Sequence, residues 1–172
     1  MGGDDLTQTT PVEPEPIARV RAALRAAGVE GEIRLFGELL TTAQAAADAL
    51  GVELGRIAKS VLMFAGGEPV LVVAAGDRRV DRRKVRDRLN RGKVTLAGPE
   101  EVLAVTGFVA GGVAPVGALH PVTVLLDESL RRFPDIWAGG GVPEALLRIR
   151  VDDLPRATGG VFADVVQDPA PA

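Results

Sequence analysis

The chain has no cysteine and no tyrosine among its 172 residues, one tryptophan, five phenylalanines and a single histidine. Without cysteine there is no disulfide, no thiol nucleophile and no Cys-ligated zinc. The lone histidine, His120, excludes a multi-histidine metal site and leaves one imidazole as a candidate base. Aromatic residues make up 3%, too few for a base-stacking platform of the kind that reads single-stranded RNA. Lysine is scarce as well: Lys59, Lys84 and Lys93 stand against 17 arginines, so each lysine draws notice. No apolar run approaches the roughly 18 residues that span a bilayer. The opening MGGDDLTQTT lacks the basic-then-apolar order of a secretory signal. The expectation is a soluble, cytoplasmic protein with no membrane partner.

Apolar residues account for 47% and charged residues for 25%, enough to bury an aliphatic core in one domain. A net charge of −3 excludes a molecule that binds polyanions over its whole surface, and no DNA partner is expected. Contact with nucleic acid must come from a local patch. The Pro- and Glu-rich stretch TTPVEPEP marks residues 1–15 as a flexible tail, and DPAPA marks 168–172 as another. One domain is expected between them, over residues 16–167.

Periodicity gives the elements. Ile17, Val20, Leu24 and Ala27 predict a helix opened near Pro16 and stopped by Gly28. A strand is predicted over Val29–Phe36. Thr41 with Gln44 forms a capping box ahead of the Ala-rich helix AQAAADAL, which Gly51 ends. IAKSVLMF and VLVVAAG, separated by AGGEP, predict a β-hairpin buried on both faces. Asp81 caps the basic helix RRKVRDRLN, and Pro99 opens PEEVLAVT. Strands VTVLL, IWA, ALLRIRV and VFADVV follow, with short helical turns from Asp127 and Asp152. Strands and helices without strict βαβ alternation predict an α+β domain: a mixed sheet, partly barrel-like, with short flanking helices.

Three features could carry chemistry. Lys59 falls third in an apolar strand, and an unpaired buried ammonium costs several kcal/mol or loses its proton more easily. It persists by snorkelling to the surface, by pairing with a carboxylate, or by meeting an anionic ligand. Its surroundings, GRIAKS, do not make a phosphate loop, because Ala58 and Glu53 stand where that motif needs glycine. The loop Gly111-Gly112-Val113-Ala114-Pro115-Val116-Gly117 is either a plain connection or a cradle whose backbone N–H groups hold an oxyanion. Arg78 to Lys93 holds nine basic residues against Asp81 and Asp87. It is either a polyanion footprint, through Arg78, Arg79, Arg82 and Arg83, or a solvated helix face. His120 reads as an exposed loop residue rather than a base, and Asp152-Asp153 as a helix start rather than a metal site.

Taken in order, TTAQAAADALGV, RIAKSVLMF, TGFVAGGVAPVG, IWAGGG, the strand ALLRIRV with DDL, and VFADV resemble the YbaK family of aminoacyl-tRNA deacylases. That family is related to the editing domain inserted in bacterial prolyl-tRNA synthetases. The resemblance runs from Ile17 to Val166 and implies hydrolysis of the ester that joins a mischarged amino acid to the 3′ end of tRNA. It implies that Lys59, Gly112 and Val113 act at the reacting ester. Ser60, Phe36, Gly111, Ala114, Pro115, Gly117, Gly140 and Gly141 would form the substrate pocket. It implies no metal and no cofactor. Mischarged tRNA, of tRNA-Pro or a related tRNA, is the partner, with an aminoacyl-tRNA synthetase as a second one. Gly139, Leu146 and Phe36 stand where some members have Ser, Asp and Tyr, so the cysteinyl preference of the best-known members does not carry over. The competing reading is a binding module that keeps the pocket without the chemistry, and behind it a regulatory interaction protein.

Overall fold

Prolines and small residues open the helices of this chain, and a pair of glycines turns its central hairpin. The computed structural model describes residues 12–169. Most of the two expected tails, residues 1–11 and 170–172, lies outside the described residues. Helix α1 (Glu15–Ala27) buries Ile17, Val20 and Leu24 on one stripe and ends at Gly28, as their spacing predicts. Strand β1 (Glu32–Leu35) is shorter than the predicted 29–36. The Val29 N–H still bonds back to the Leu24 carbonyl at 3.0 Å, so the chain is leaving the helix there. In α2 (Ala43–Leu50) the cap is Thr42, whose hydroxyl accepts from the Ala45 N–H at 3.1 Å. Gln44 donates to Asp48 rather than closing a box with Thr41.

The hairpin pairs β2 (Ala58–Ala65) with β3 (Glu68–Ala75) over their full lengths, from Ala58–Ala75 to Ala65–Glu68. Gly66 and Gly67 have φ of 59° and 84°, the two left-handed positions that a tight two-residue hairpin loop requires. Asp81 accepts from the Arg83 N–H at 2.9 Å and caps α3 (Arg82–Leu89). There follow β4 (Val94–Leu96), α4 (Pro99–Thr106), β5 (Thr123–Asp127), β6 (Asp135–Gly139), β7 (Ala145–Arg150), α5 (Leu154–Thr158) and β8 (Val161–Ala163).

The strands form two sheets. Five lie in the order β4-β2-β3-β5-β8, antiparallel up to β3 and parallel beyond it. Three lie antiparallel in the order β1-β7-β6. An isolated bridge between Ile57 and Trp137 joins them, and no barrel closes. The class is α+β, with a mixed sheet and short helices. On one face of β3, Leu71, Val73 and Ala75 enter the main core with Val20, Leu24 and Phe108. On the other, Val70 and Val72 pack with Met63, Val85 and Val165. Burial on both faces therefore holds for β3. At the start of β2, Lys59 and Val61 are half-buried, because Val85 of α3 packs beside Met63 and leaves them facing a groove. No helix among the described residues is long and apolar enough to cross a membrane.

Candidate active site

Next to the bridge between the sheets is a hollow of about 190 Å³. Lys59 and Ser60 from β2 line it together with Gly111 and Val113 from the glycine loop and Gly139 from the end of β6. Thr41, Thr42 and Ala43 bring the start of α2 to its wall, and Leu40, Ala46, Ile57 and Leu146 supply an apolar side. Residues as far apart in the chain as Leu40 and Leu146 meet here because the first residues of β2 lie where the two sheets join.

Lys59 has no ion-pair partner among the described residues. Burial pushes its pKa below the ordinary lysine value, the charge of Arg79 pushes the same way, and Asp77 opposes them. Asp77 is itself held by Arg132, so it does not neutralise Lys59. The hydroxyl oxygen of Ser60, the next residue of β2, is buried with no hydrogen-bond partner. A buried hydroxyl without a partner costs free energy, and a ligand group in the hollow would recover it.

The glycine loop is held from outside. Arg19 of α1 donates from Nε to the Gly117 carbonyl at 3.1 Å and from Nη2 to the Gly107 carbonyl at 3.1 Å, so one side chain fastens both ends. Its guanidinium lies 4.9 Å from the Phe108 ring centre. The Gly112 N–H donates to Val109 at 3.0 Å, and its carbonyl accepts from Gly141 at 2.9 Å. The N–H groups of Gly111 and Val113 donate to no protein acceptor among the described residues. Gly139 passes directly beneath the Val113 carbonyl, where any side chain would collide with it.

The hollow thus gathers Lys59, Ser60, Gly111 and Val113. The other residues of the expected site stand around it. Gly112 is buried against Val142, Ala114 and Pro115 are buried, Gly117 lies against Arg19 and Val20, and Gly141 against Pro16. The Gly140 N–H bonds the Ala145 carbonyl at 2.9 Å. Phe36 packs on the cluster of Leu40, Trp137 and Leu146 behind the hollow's apolar side. Arg79, Arg82 and Arg83 line a neighbouring groove, and Arg78 pairs with Asp77 at 3.2 Å. His120 is exposed. Sequence reasoning passed over Leu40, Thr41, Ala46 and Ile57. The signal for this wall is the Thr41–Thr42 helix start, within the segment TTAQAAADALGV that also carries the family resemblance.

A larger depression, of about 700 Å³, lies between α1 and β7. Several of its charges are paired: Arg148 with Asp135 and Glu32, and Arg21 with Glu13 outside it, while Arg25, Glu30 and Arg150 have no ion-pair partner among the described residues. It contains no residue of the glycine loop.

A half-buried cation beside a hollow walled partly by main chain, in a mixed α+β frame, is the candidate small-ligand site. The aminoacyl-tRNA editing domain matches residues 38–157, and the chain belongs to that family. It is 36% identical over 141 residues to the uncharacterized protein YwhH of Bacillus subtilis, covering 81% of this chain and 89% of YwhH. It is 26% identical over 125 residues to EbsC of Enterococcus faecalis, covering 72% and 76% of the two chains. EbsC is proposed to be a Cys-tRNA(Pro)/Cys-tRNA(Cys) deacylase. A crystal structure of a protein proposed as a trans-editing enzyme for prolyl-tRNA synthetase superposes with a TM-score of 0.84 at 35% identity, covering 91% of this chain and 99% of that one.

Proposed function

We propose that the protein is a stand-alone editing deacylase that hydrolyses the ester of a mischarged tRNA bearing a small amino acid. The observation that carries this reading is the unpaired Lys59 at a small hollow whose wall includes the main chain of Gly111, Val113 and Gly139. The trans-editing protein's fold and the EbsC relative support tRNA-Pro, or a related tRNA, as the carrier. At about 190 Å³ the hollow is smaller than the roughly 300–1,000 Å³ of sites that enclose drug-sized ligands, which suits an aminoacyl group of few atoms.

The chemistry follows from the lining. Lys59 holds the ribose-phosphate end of the tRNA. Ser60 supplies a hydroxyl, and the N–H groups of Gly111 and Val113 are free to receive charge that develops on the ester oxygen. Water attacks the ester carbonyl carbon, the bond to the ribose oxygen breaks, that oxygen takes a proton, and the amino acid leaves as a free acid. Among the described residues, no His, Asp or Glu lines the hollow. The substrate therefore provides the proton relay, through its neighbouring ribose hydroxyl or its own side chain. Positioning and preorganised donors supply the rest of the acceleration.

The test is a panel of tRNAs carrying Ala, Cys, Ser, Thr and Pro, incubated with the wild-type protein and with folded Lys59→Ala and Ser60→Ala variants. Ester loss that depends on Lys59 is expected for at least one small amino acid. Binding of the same tRNAs without ester loss would instead identify a binding module. Equal hydrolysis by wild type and Lys59→Ala would remove the assigned role of the lysine.

A further inference from the structure

The hollow does not end at Lys59. That residue also lines a groove of about 850 Å³ floored by Val61 and Met63 on the outward face of β2 and by Leu96 of β4. Arg79, Arg82 and Arg83 form its side. Arg82 and Arg83 in turn line a shallower depression of about 360 Å³ with Arg86 and Lys93. Three concavities lie side by side, the hollow and the groove with Lys59 between them and the groove and the depression with Arg82 and Arg83 between them, in a run from the aminoacyl hollow past the start of α3 to β4.

The charge along this run is one-sided. Six cations line it: Lys59, Arg79, Arg82, Arg83, Arg86 and Lys93. Two acids do, and both are engaged elsewhere. Asp81 accepts from the Arg83 and Lys84 N–H groups as the cap of α3, and Asp168 binds Lys84 at 2.7 Å. Arg86 pairs with Asp87 at 3.2 Å. The other five cations have no ion-pair partner among the described residues, on a chain whose net charge is −3. Asp87 stands four residues after Arg83, where a helical ion pair can form, but it pairs with Arg86 instead. Cations without ion-pair partners among the described residues, lining a groove that borders a ligand hollow, fit a polyanion that runs along it.

We infer that this run is the track of the tRNA acceptor end. Its backbone phosphates follow Lys93, Arg83, Arg82 and Arg79, and Lys59 is the last cation before the acylated ribose enters the hollow. The inference rests on the reading of the hollow as the site of that ribose. Among the described residues, no aromatic side chain lines the groove to stack a base. Phosphate contacts set position without reading sequence, so this stretch tolerates different acceptor sequences.

The experiment measures binding of uncharged tRNA by fluorescence anisotropy against salt concentration, for wild type, Arg82→Ser/Arg83→Ser, Arg82→Lys/Arg83→Lys and Arg88→Ser. Arg88 lies on α3 but outside the run. The serine double variant is expected to weaken binding and to lower the slope of log affinity against log salt by about 1.4–1.8, two phosphate contacts' worth. The lysine pair restores most of the slope, and Arg88→Ser leaves it at the wild-type value. Thermal melts of the four proteins show that each is folded. A serine double variant with the wild-type slope overturns the track. Hydrolysis plays no part in this readout. Loss of slope in a protein that deacylates nothing leaves the track standing and removes the editing activity, and the reverse result does the opposite.

Discussion

Arg132 grips Asp77 through two nitrogens, with Nη1 2.9 Å from Oδ2 and Nη2 2.7 Å from Oδ1. This is the carboxylate whose field reaches Lys59. Because it is already taken, the ammonium beside the hollow keeps its charge for a ligand, and Arg79 adds a second repulsive cation.

The charge of Lys59 therefore has a pH limit. Its pKa is lowered, so the ammonium is lost as pH rises, before the ordinary lysine value of about 10.4. Affinity for a non-hydrolysable amide analogue of aminoacyl-adenosine 5′-phosphate should fall along that limb. Arg79→Ser should move the limb to higher pH, since it removes a charge that lowers the lysine. Lys59→Arg should abolish it. Lys59→Ala should weaken binding roughly ten- to a hundredfold, the worth of a hydrogen bond to a charged group of about 1.5–3 kcal/mol. A limb that stays put in Arg79→Ser would assign it to another group.

The same ion pair predicts an acid limb in stability. Arg132 holds the Asp77 carboxyl below the usual carboxylate range, so the unfolded state takes up the proton first as pH falls. The stabilisation is present above the unfolded value of about 4 and is lost as pH drops through the lower folded value. Both side chains are about one-third exposed, which holds the contribution under about 1 kcal/mol. Denaturant titrations of Arg132→Ala against wild type should differ by that amount at neutral pH and converge at about pH 2.

Gly139→Ala should be costly out of proportion to one methyl group. The new carbon would meet the Val113 carbonyl, which is main chain and cannot rotate away. A loss of about 1–3 kcal/mol is expected, as for other overpacked sites. Gly37→Ala is the matched control, because nothing lies within 4 Å of its added carbon. Equal melting temperatures for the two variants would mean that the strand end yields freely.

Leu146 is 4% exposed and lines the hollow. Leu146→Ala should cost about 2–5 kcal/mol of stability as a cavity-forming change. It should also raise the ratio of kcat/KM for a larger acyl group over a smaller one by about tenfold or more, since each methylene discriminated is worth about 1–3 kcal/mol. A folded variant with an unchanged ratio would place the acyl group somewhere else.

Local chemistry was legible in the sequence. Gly66-Gly67 between two apolar runs announced the hairpin, Asp81 its helix, and Lys59 stood out as a charge inside a strand. What could not be read is what distant pairings create. The parallel pairing of β3 with β5 joins segments some fifty residues apart, and no periodicity reports it. The separation into two sheets hangs on one bridge, Ile57 to Trp137. Gly139 looked like part of a turn, because a missing side chain carries no sign of the carbonyl that needs its space. Thr41 was assigned the cap, whereas Thr42 caps and Thr41 packs against Gly111.

A boundary made of peptide groups has the same shape whatever residue types surround it. Descendants of this gene could not change their preference by mutating Gly111 or Gly139, where substitution threatens the architecture itself. Drift in preference has to pass through Leu40, Ala46 and Leu146, the apolar corner where atoms can be added or removed. The two sides of the cavity thus evolve under different rules, one frozen by geometry and the other open to selection.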